Sequence, residues 1–194
     1  MKTNILISVT ILCVLINACN SKEEKKSPEL YEPAKTITED PVKRGEYLVN
    51  SIGCHDCHTP KKFTEHGLTL DTDRLLSGHP AEETLAEYDA KTAKSYILFT
   101  MGLTAATGPW GTSFAANLTP DATGIGSWTE GQFLTAIKKG LYKGLEGSRP
   151  LLPPMPWEGL RNLSDDDLKA IFAYLKTIKP IENVVPAAIP PQIN

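Results

Sequence analysis

The feature that most constrains this chain is a run of five residues, Cys54-His55-Asp56-Cys57-His58. Two thiols three positions apart, followed at once by a histidine, form the C-x-x-C-H signature of covalent haem c attachment. The spacing has a physical reason. On a turn of helix, residues i and i+3 share a face, so both thiols reach the two vinyl groups of one porphyrin and form thioethers. His58 then falls beneath the iron as the proximal imidazole. Two other chemistries use related spacings. A thioredoxin-like redox pair requires a β-α-β setting, and no strand pattern precedes Cys54. A zinc site requires four ligands; His58, His66 and His79 are on offer, but no second cysteine pair exists.

The residues ahead of the motif read as an export signal. Lys2 is a small positive n-region, and Ile5 to Ile16 is an apolar run of twelve residues. That is short of the ~20 needed to span a bilayer and suits a signal-peptide core. Ile16-Asn17-Ala18-Cys19 resembles a bacterial lipoprotein cleavage box, which makes residues 1–18 the lipoprotein signal and Cys19 the lipidated first residue of the mature protein. An ordinary secretory signal and an uncleaved anchor are the alternatives, and all three export the chain to the cell envelope. Of four cysteines, Cys13 then leaves, Cys19 takes lipid, and Cys54 and Cys57 take haem. None remains for a disulfide, although an oxidising compartment would allow one.

Residues 19–40 are polar and charged with prolines at 28 and 33, a composition that buries nothing and reads as a flexible tether. Without residues 1–18 the chain holds 19 basic and 23 acidic side chains. That balance argues against nucleic acid as a partner and leaves membrane contact to the lipid. The expected domain is 41–180, long enough for one real core, followed by an extended proline-rich tail, 181–194.

Within the domain, Asp40 can cap a helix opened by Pro41, with Gly45, Leu48, Val49 and Ile52 at helical spacing and Gly53 as its end. Residues 59–116 are the least readable. Gly78-His79-Pro80 marks a turn, Ala81–Tyr88 reads as a short helix, and Tyr96-Ile97-Leu98-Phe99 as a buried strand or part of a helix. Gly102 to Asn117, with Trp110, reads as a loop. Thr129 and Gln132 form a capping box for a helix carrying Phe133, Ala136, Ile137, Gly140 and Leu141, ended by Gly144. Leu151 to Trp157 is proline-stiffened and extended. Ser164 and three aspartates open the last helix, whose stripe is Leu168, Ile171, Phe172, Leu175 and Ile178, and Pro180 stops it. Lys138, Lys139, Lys143 and Arg149 read as a solvated face, with a docking patch as the alternative.

By these motifs residues 41–180 resemble the class I cytochromes c: a first helix with Gly45, Cys54-His55-Asp56-Cys57-His58, a methionine loop at 155, and a last helix carrying Tyr174. Asn117-Leu118-Thr119-Pro120-Asp121, Gly124-Ile125-Gly126, Trp128-Thr129 and Met155-Pro156-Trp157 are similar to cytochrome domains associated with membrane-bound dehydrogenases. Such subunits often carry several haem motifs; this chain has one. The resemblance implies an all-α, cytochrome c-like fold whose first and last helices cross beside the haem, with Gly45 meeting Phe172 or Tyr174. It also implies Met155 as the distal ligand, 97 positions after His58. A thioether there raises the potential. Met101, His66 and His79 are the competing donors; both histidines read as surface or turn residues.

The function implied is a mono-haem, lipid-anchored c-type cytochrome, an electron carrier between redox partners (a dehydrogenase, oxidase or quinol-oxidising complex) at the periplasmic membrane surface. It is not itself an enzyme. A cytochrome subunit of a membrane-associated dehydrogenase is the alternative reading, ahead of a haem sensor or peroxidase. The haem would be bound by Cys54, Cys57, His58 and Met155, the last two ligating iron.

Overall fold

The computed structural model describes residues 40–191. The expected signal segment, Cys19, nearly all of the tether and residues 192–194 lie outside them. In chain order the helices are α1 (Pro41–Ser51), α2 (Cys54–His58), α3 (Ala90–Ala93), α4 (Glu130–Lys139), α5 (Trp157–Leu160) and α6 (Asp165–Leu175). The strands are β1 (Lys61–Thr64), β2 (Gly67–Leu70), β3 (Leu98–Phe99), β4 (Ala105–Gly108) and β5 (Gly111–Phe114).

The core forms where α1 crosses α6. Asp40 accepts from the Val42 amide at 2.9 Å and Pro41 opens α1, as a proline without a donor suits the first helical position. Ser164 accepts from the Asp167 amide at 3.0 Å and three aspartates occupy the first turn of α6, where the helix dipole favours them. Leu48 and Val49 of α1 pack with Leu168, Ile171, Phe172 and Leu175 of α6, joined by Leu76, Ile125, Phe133 and Ile137. Each large side chain buried there contributes about 1.5–3 kcal/mol. The helices approach so closely at Gly45 that a Cβ on it would lie 2.5 Å from the Ala170 carbonyl carbon and 2.8 Å from Tyr174 Cβ. Of the two expected crossing partners it is therefore Tyr174, with the Ala170 backbone, that meets Gly45. Arg44 Nε reaches Asp167 Oδ1 at 2.8 Å across the same crossing.

The expectation of an all-α fold is overturned. β1 and β2 form one antiparallel hairpin, and β3, β4 and β5 form a second antiparallel sheet in that order. The stretch read as a loop, residues 102–117, holds the β4–β5 hairpin. Its strands are rich in Ala, Gly, Ser and Thr, and they bury hydroxyls by pairing them. Thr107 and Thr112 share a hydrogen bond at 2.8 Å, and Ser113 Oγ accepts from Trp110 Nε1 at 3.3 Å. Two helix boundaries also move. Ala81–Tyr88 is not helical; α3 begins after Asp89, whose carboxylate accepts from the Lys91 and Thr92 amides. α4 has the capping box at Thr129 and Gln132 but ends at Gly140, not Gly144, because Gly140 takes φ 65°, the left-handed stop that glycine accepts without strain. Among the described residues no helix is long and apolar enough to cross a membrane.

After α6 the chain runs without helix and is bound to the domain. Asn117 Nδ2 donates to the Ile181 carbonyl at 2.8 Å. Asn183 Nδ2 donates to the carbonyls of Ser77 and His79 at 2.7 and 2.9 Å, and its Oδ1 accepts from the Ala81 amide.

Gly45→Val should lower stability by at least about 3 kcal/mol, since the added carbons meet backbone rather than a movable side chain. Gly131→Ala, in α4 with its nearest neighbour at 4.0 Å, should instead gain up to about 1 kcal/mol. Urea unfolding midpoints of the two variants check both signs.

Candidate functional site

The five-residue motif is the helix α2. It is set off from α1 by Gly53, which takes φ 83°, a backbone region costly for residues with a Cβ. The reversal lets α2 start two residues after Ile52, the cap of α1. Neither cysteine is paired in a disulfide. Cys54 packs against the core cluster and its burial pushes the thiol up to about 11; burial also raises Cys57, with Lys61 opposing. Neither thiol is therefore activated as a thiolate at neutral pH, which is the opposite of what a redox-active pair requires. Among the described residues no group of three or more His, Cys, Asp or Glu side chains is placed to hold a metal ion, so the zinc alternative finds no ligand set.

His58 is half-buried, and its Nδ1 lies 2.8 Å from the Ala116 carbonyl oxygen. A carbonyl only accepts, so Nδ1 carries the hydrogen and Nε2 carries the lone pair. Burial lowers the pKa of His58, with the Ala116 bond opposing, which keeps the ring neutral. Nε2 has no protein partner and is not sealed from solvent among the described residues. A neutral imidazole with one nitrogen fixed by a backbone carbonyl and the other free is the form a metal takes. This donor set, two sulfurs on one helical turn and one aimed imidazole nitrogen, fits a covalently attached haem.

The carbonyl that orients His58 is itself held in place. Asn117, buried, accepts from Thr119 N and Oγ1 at 2.9 and 2.7 Å and donates to Thr123 Oγ1 at 3.1 Å. Asp121 accepts from Thr123, and Gly124 lies too near the Thr119 carbonyl to carry a Cβ. On the other side, Gly78 N donates to the His58 carbonyl at 2.8 Å, and buried Thr59 accepts from Leu76 N at 2.8 Å. Ala116, Thr59 and Lys61 were not legible as site residues. The adjoining Asn117-Leu118-Thr119-Pro120-Asp121 was the one signal that could have led to Ala116.

Met155 is half-buried and packs on the same core cluster as Cys54. Its loop is tied to the second sheet by Ser113 Oγ, which donates to the Pro153 carbonyl at 2.5 Å, and to the end of α4 by Leu151 N, which donates to the Gly140 carbonyl at 2.7 Å. Met101 is 66% exposed. His66 sits at the exposed tip of the β1–β2 hairpin beside Glu65 at 3.3 Å. His79 is not a surface residue: it is fully buried, its Nδ1 2.9 Å from Thr104 Oγ1 and its ring 4.8 Å from that of Phe114. Of the basic residues near 140, Lys138 pairs with Asp165 and Lys139 with Glu146, while Lys143 and Arg149 both lie over the Tyr142 ring.

No protein-family profile matches the chain. Its sequence is similar to cytochrome subunits of dehydrogenases, among them three that overlap most of the chain. The gluconate 2-dehydrogenase cytochrome c subunit of Pantoea cypripedii is 33% identical over 69% of this chain and 22% of its own length. The cytochrome c subunit of the quinone-dependent alcohol dehydrogenase of Gluconobacter oxydans is 31% identical over 76% and 24%. The fructose dehydrogenase cytochrome subunit of Gluconobacter japonicus is 28% identical over 78% and 24%. The chain spans less than a quarter of the length of these relatives.

Asn117→Ala should cost about 1–3 kcal/mol, because it strands the buried Thr119 amide and takes one acceptor from the Thr119 hydroxyl. It should also loosen the Ala116 carbonyl. The check is nitrogen-resolved NMR of the His58 ring, in which the wild type shows one tautomer and the variant a mixture.

Proposed function

We propose that this chain is a single-haem c-type cytochrome that passes electrons one at a time between redox proteins at the membrane surface of the cell envelope. The observation that carries the reading is the neutral His58 ring on the two-thiol turn, held by Ala116 with Nε2 free. A haem attached there supplies a one-electron iron couple. The residues do the rest. Cys54 and Cys57 would fix the group covalently, and His58 and Met155, an imidazole and a soft neutral thioether, would hold its iron. The Ser113–Pro153 and Leu151–Gly140 bonds stiffen the Met155 loop. No acid–base residue is required, and none is invoked.

A second reading, a cytochrome subunit within a dehydrogenase complex, is supported by the names of the relatives. The lipoprotein signal, the lipid at Cys19 and the envelope location complete the proposal; they rest on the sequence pattern.

Three experiments test it. The chain made in a host that attaches haem c should carry one haem by mass, resistant to acid–acetone extraction, and Cys57→Ala should accumulate little of it. A single haem that extracts freely would sink the proposal. Met155→Ala should keep the attached haem yet turn its spectrum from low-spin to high-spin and bind added imidazole faster, while Met101→Ala should match the wild type. The reverse pattern would transfer the role to Met101. For the anchor, Cys19→Ser should move the protein from membrane to soluble fractions; one acyl chain alone binds weakly, so the native anchor needs more than one.

A further inference from the structure

Lys61 stands three residues past His58, at the start of β1, and it behaves unlike a surface lysine. Its half-buried ammonium donates to three backbone carbonyls: His55 at 3.2 Å, Thr59 at 2.8 Å, and Asp56. No carboxylate lies within ion-pair distance of it among the described residues, whereas its neighbour Lys62 faces Asp71 and Asp73 at 3.5 and 3.8 Å. The carbonyl accounting of α2 shows why this matters. A five-residue helix leaves its last carbonyls without intrahelical partners. Gly78 N takes the carbonyl of His58, Thr59 N shares that of His55, and Lys61 supplies the donors for His55, Asp56 and Thr59. These carbonyls form the negative end of the helix dipole, and a cation there is favourable.

We infer that Lys61 is a positioning residue for the site. Its ammonium closes the carbonyl end of the Cys54–His58 turn and fixes a positive charge beside it, opposed only at longer range by the Asp56 carboxylate. This rests on the reading of that turn as a haem-attachment site. Two consequences follow from the one contact. The three bonds hold His58 and the cysteines on a turn too short to hold itself. The charge, screened less than one in open water, favours whichever state of a group bound at His58 is less positive, so it raises the reduction potential.

The test uses the haem-bearing protein. Lys61→Met removes donor and charge, Lys61→Gln keeps a donor without charge, and Lys61→Arg keeps both; Lys62→Met is the control for general surface charge. Attached haem is measured first, then spectrum and midpoint potential. The expected result is a fall in potential for Met and Gln equivalent to about a tenfold change in the oxidised-to-reduced ratio, ~59 mV for one electron. Arg should stay near the wild type, and Lys62→Met should shift the ratio by less than half as much on the logarithmic scale. If Lys61→Met yields no haem-bearing protein while Lys61→Arg does, the clamp is supported by that rescue. Unchanged potentials in haem-bearing Met and Gln variants overturn the inference. So does a Lys62→Met shift as large as that of Lys61→Met, or loss of haem in all three Lys61 variants including Arg. A wild type that takes up no haem under the same conditions defeats the haem reading itself and carries this inference down with it.

Discussion

Everything in this domain hangs on the contact of two backbones at Gly45. The residue is glycine because the carbonyl of Ala170 occupies the space a side chain would fill, and the crossing brings together segments 125 positions apart in sequence (170 − 45). Once α1 lies in that groove, Leu48 and Val49 are committed to the stripe of α6, and the last turn of α1 ends at a fixed place. The left-handed turn at Gly53 then starts α2 directly from that end. The two thiols and His58 inherit their positions from a packing event at the far ends of the domain, with almost no freedom in between.

The imidazole is fixed by a second constraint, from the opposite side. Ala116 contributes nothing through its side chain; its carbonyl decides which ring nitrogen of His58 is free. A carbonyl in a loop makes a poor anchor unless the loop is rigid. The Asn117, Thr119 and Thr123 bonds, with residues 181 and 183 of the following segment, supply that rigidity. The chain after the last helix therefore takes part in defining the site, because the side-chain amides of Asn117 and Asn183 join it to the two segments that flank His58.

The legible parts of the sequence are those where one local rule suffices. The caps at Asp40, Thr129 and Ser164, the apolar stripe of α6 and the two-thiol turn each follow from spacing alone. The sheets were not legible, and their chemistry explains it. β4 and β5 bury Ala, Thr, Ser and Gly rather than alternating large apolar residues, and the hydroxyls find partners that only the fold brings up, Thr112 for Thr107 and the Pro153 carbonyl for Ser113. β1 and β2 are exposed on nearly every residue, so they show no inside and outside to alternate. His79 misled for a related reason: Gly78 and Pro80 mark a turn, but Thr104 and Phe114, which enclose the ring, are a long way off in sequence. Met155 and Met101 differ in the same sense. Only the fold shows that one is packed and the other bare.

The β1–β2 hairpin leaves the domain over a ladder of three bonds: His58 carbonyl to Gly78, Thr59 hydroxyl to Leu76, Pro60 carbonyl to Asp71. A chain segment closed at its base in this way can change length at small cost, about 0.6 kcal/mol for each doubling of the loop. Residues beyond the base are thus free to grow, shrink or be rewritten over evolutionary time, provided the first of them still reaches back to the carbonyls of the turn. The hairpin can therefore change its length and outer face without moving the Cys54–His58 turn out of register.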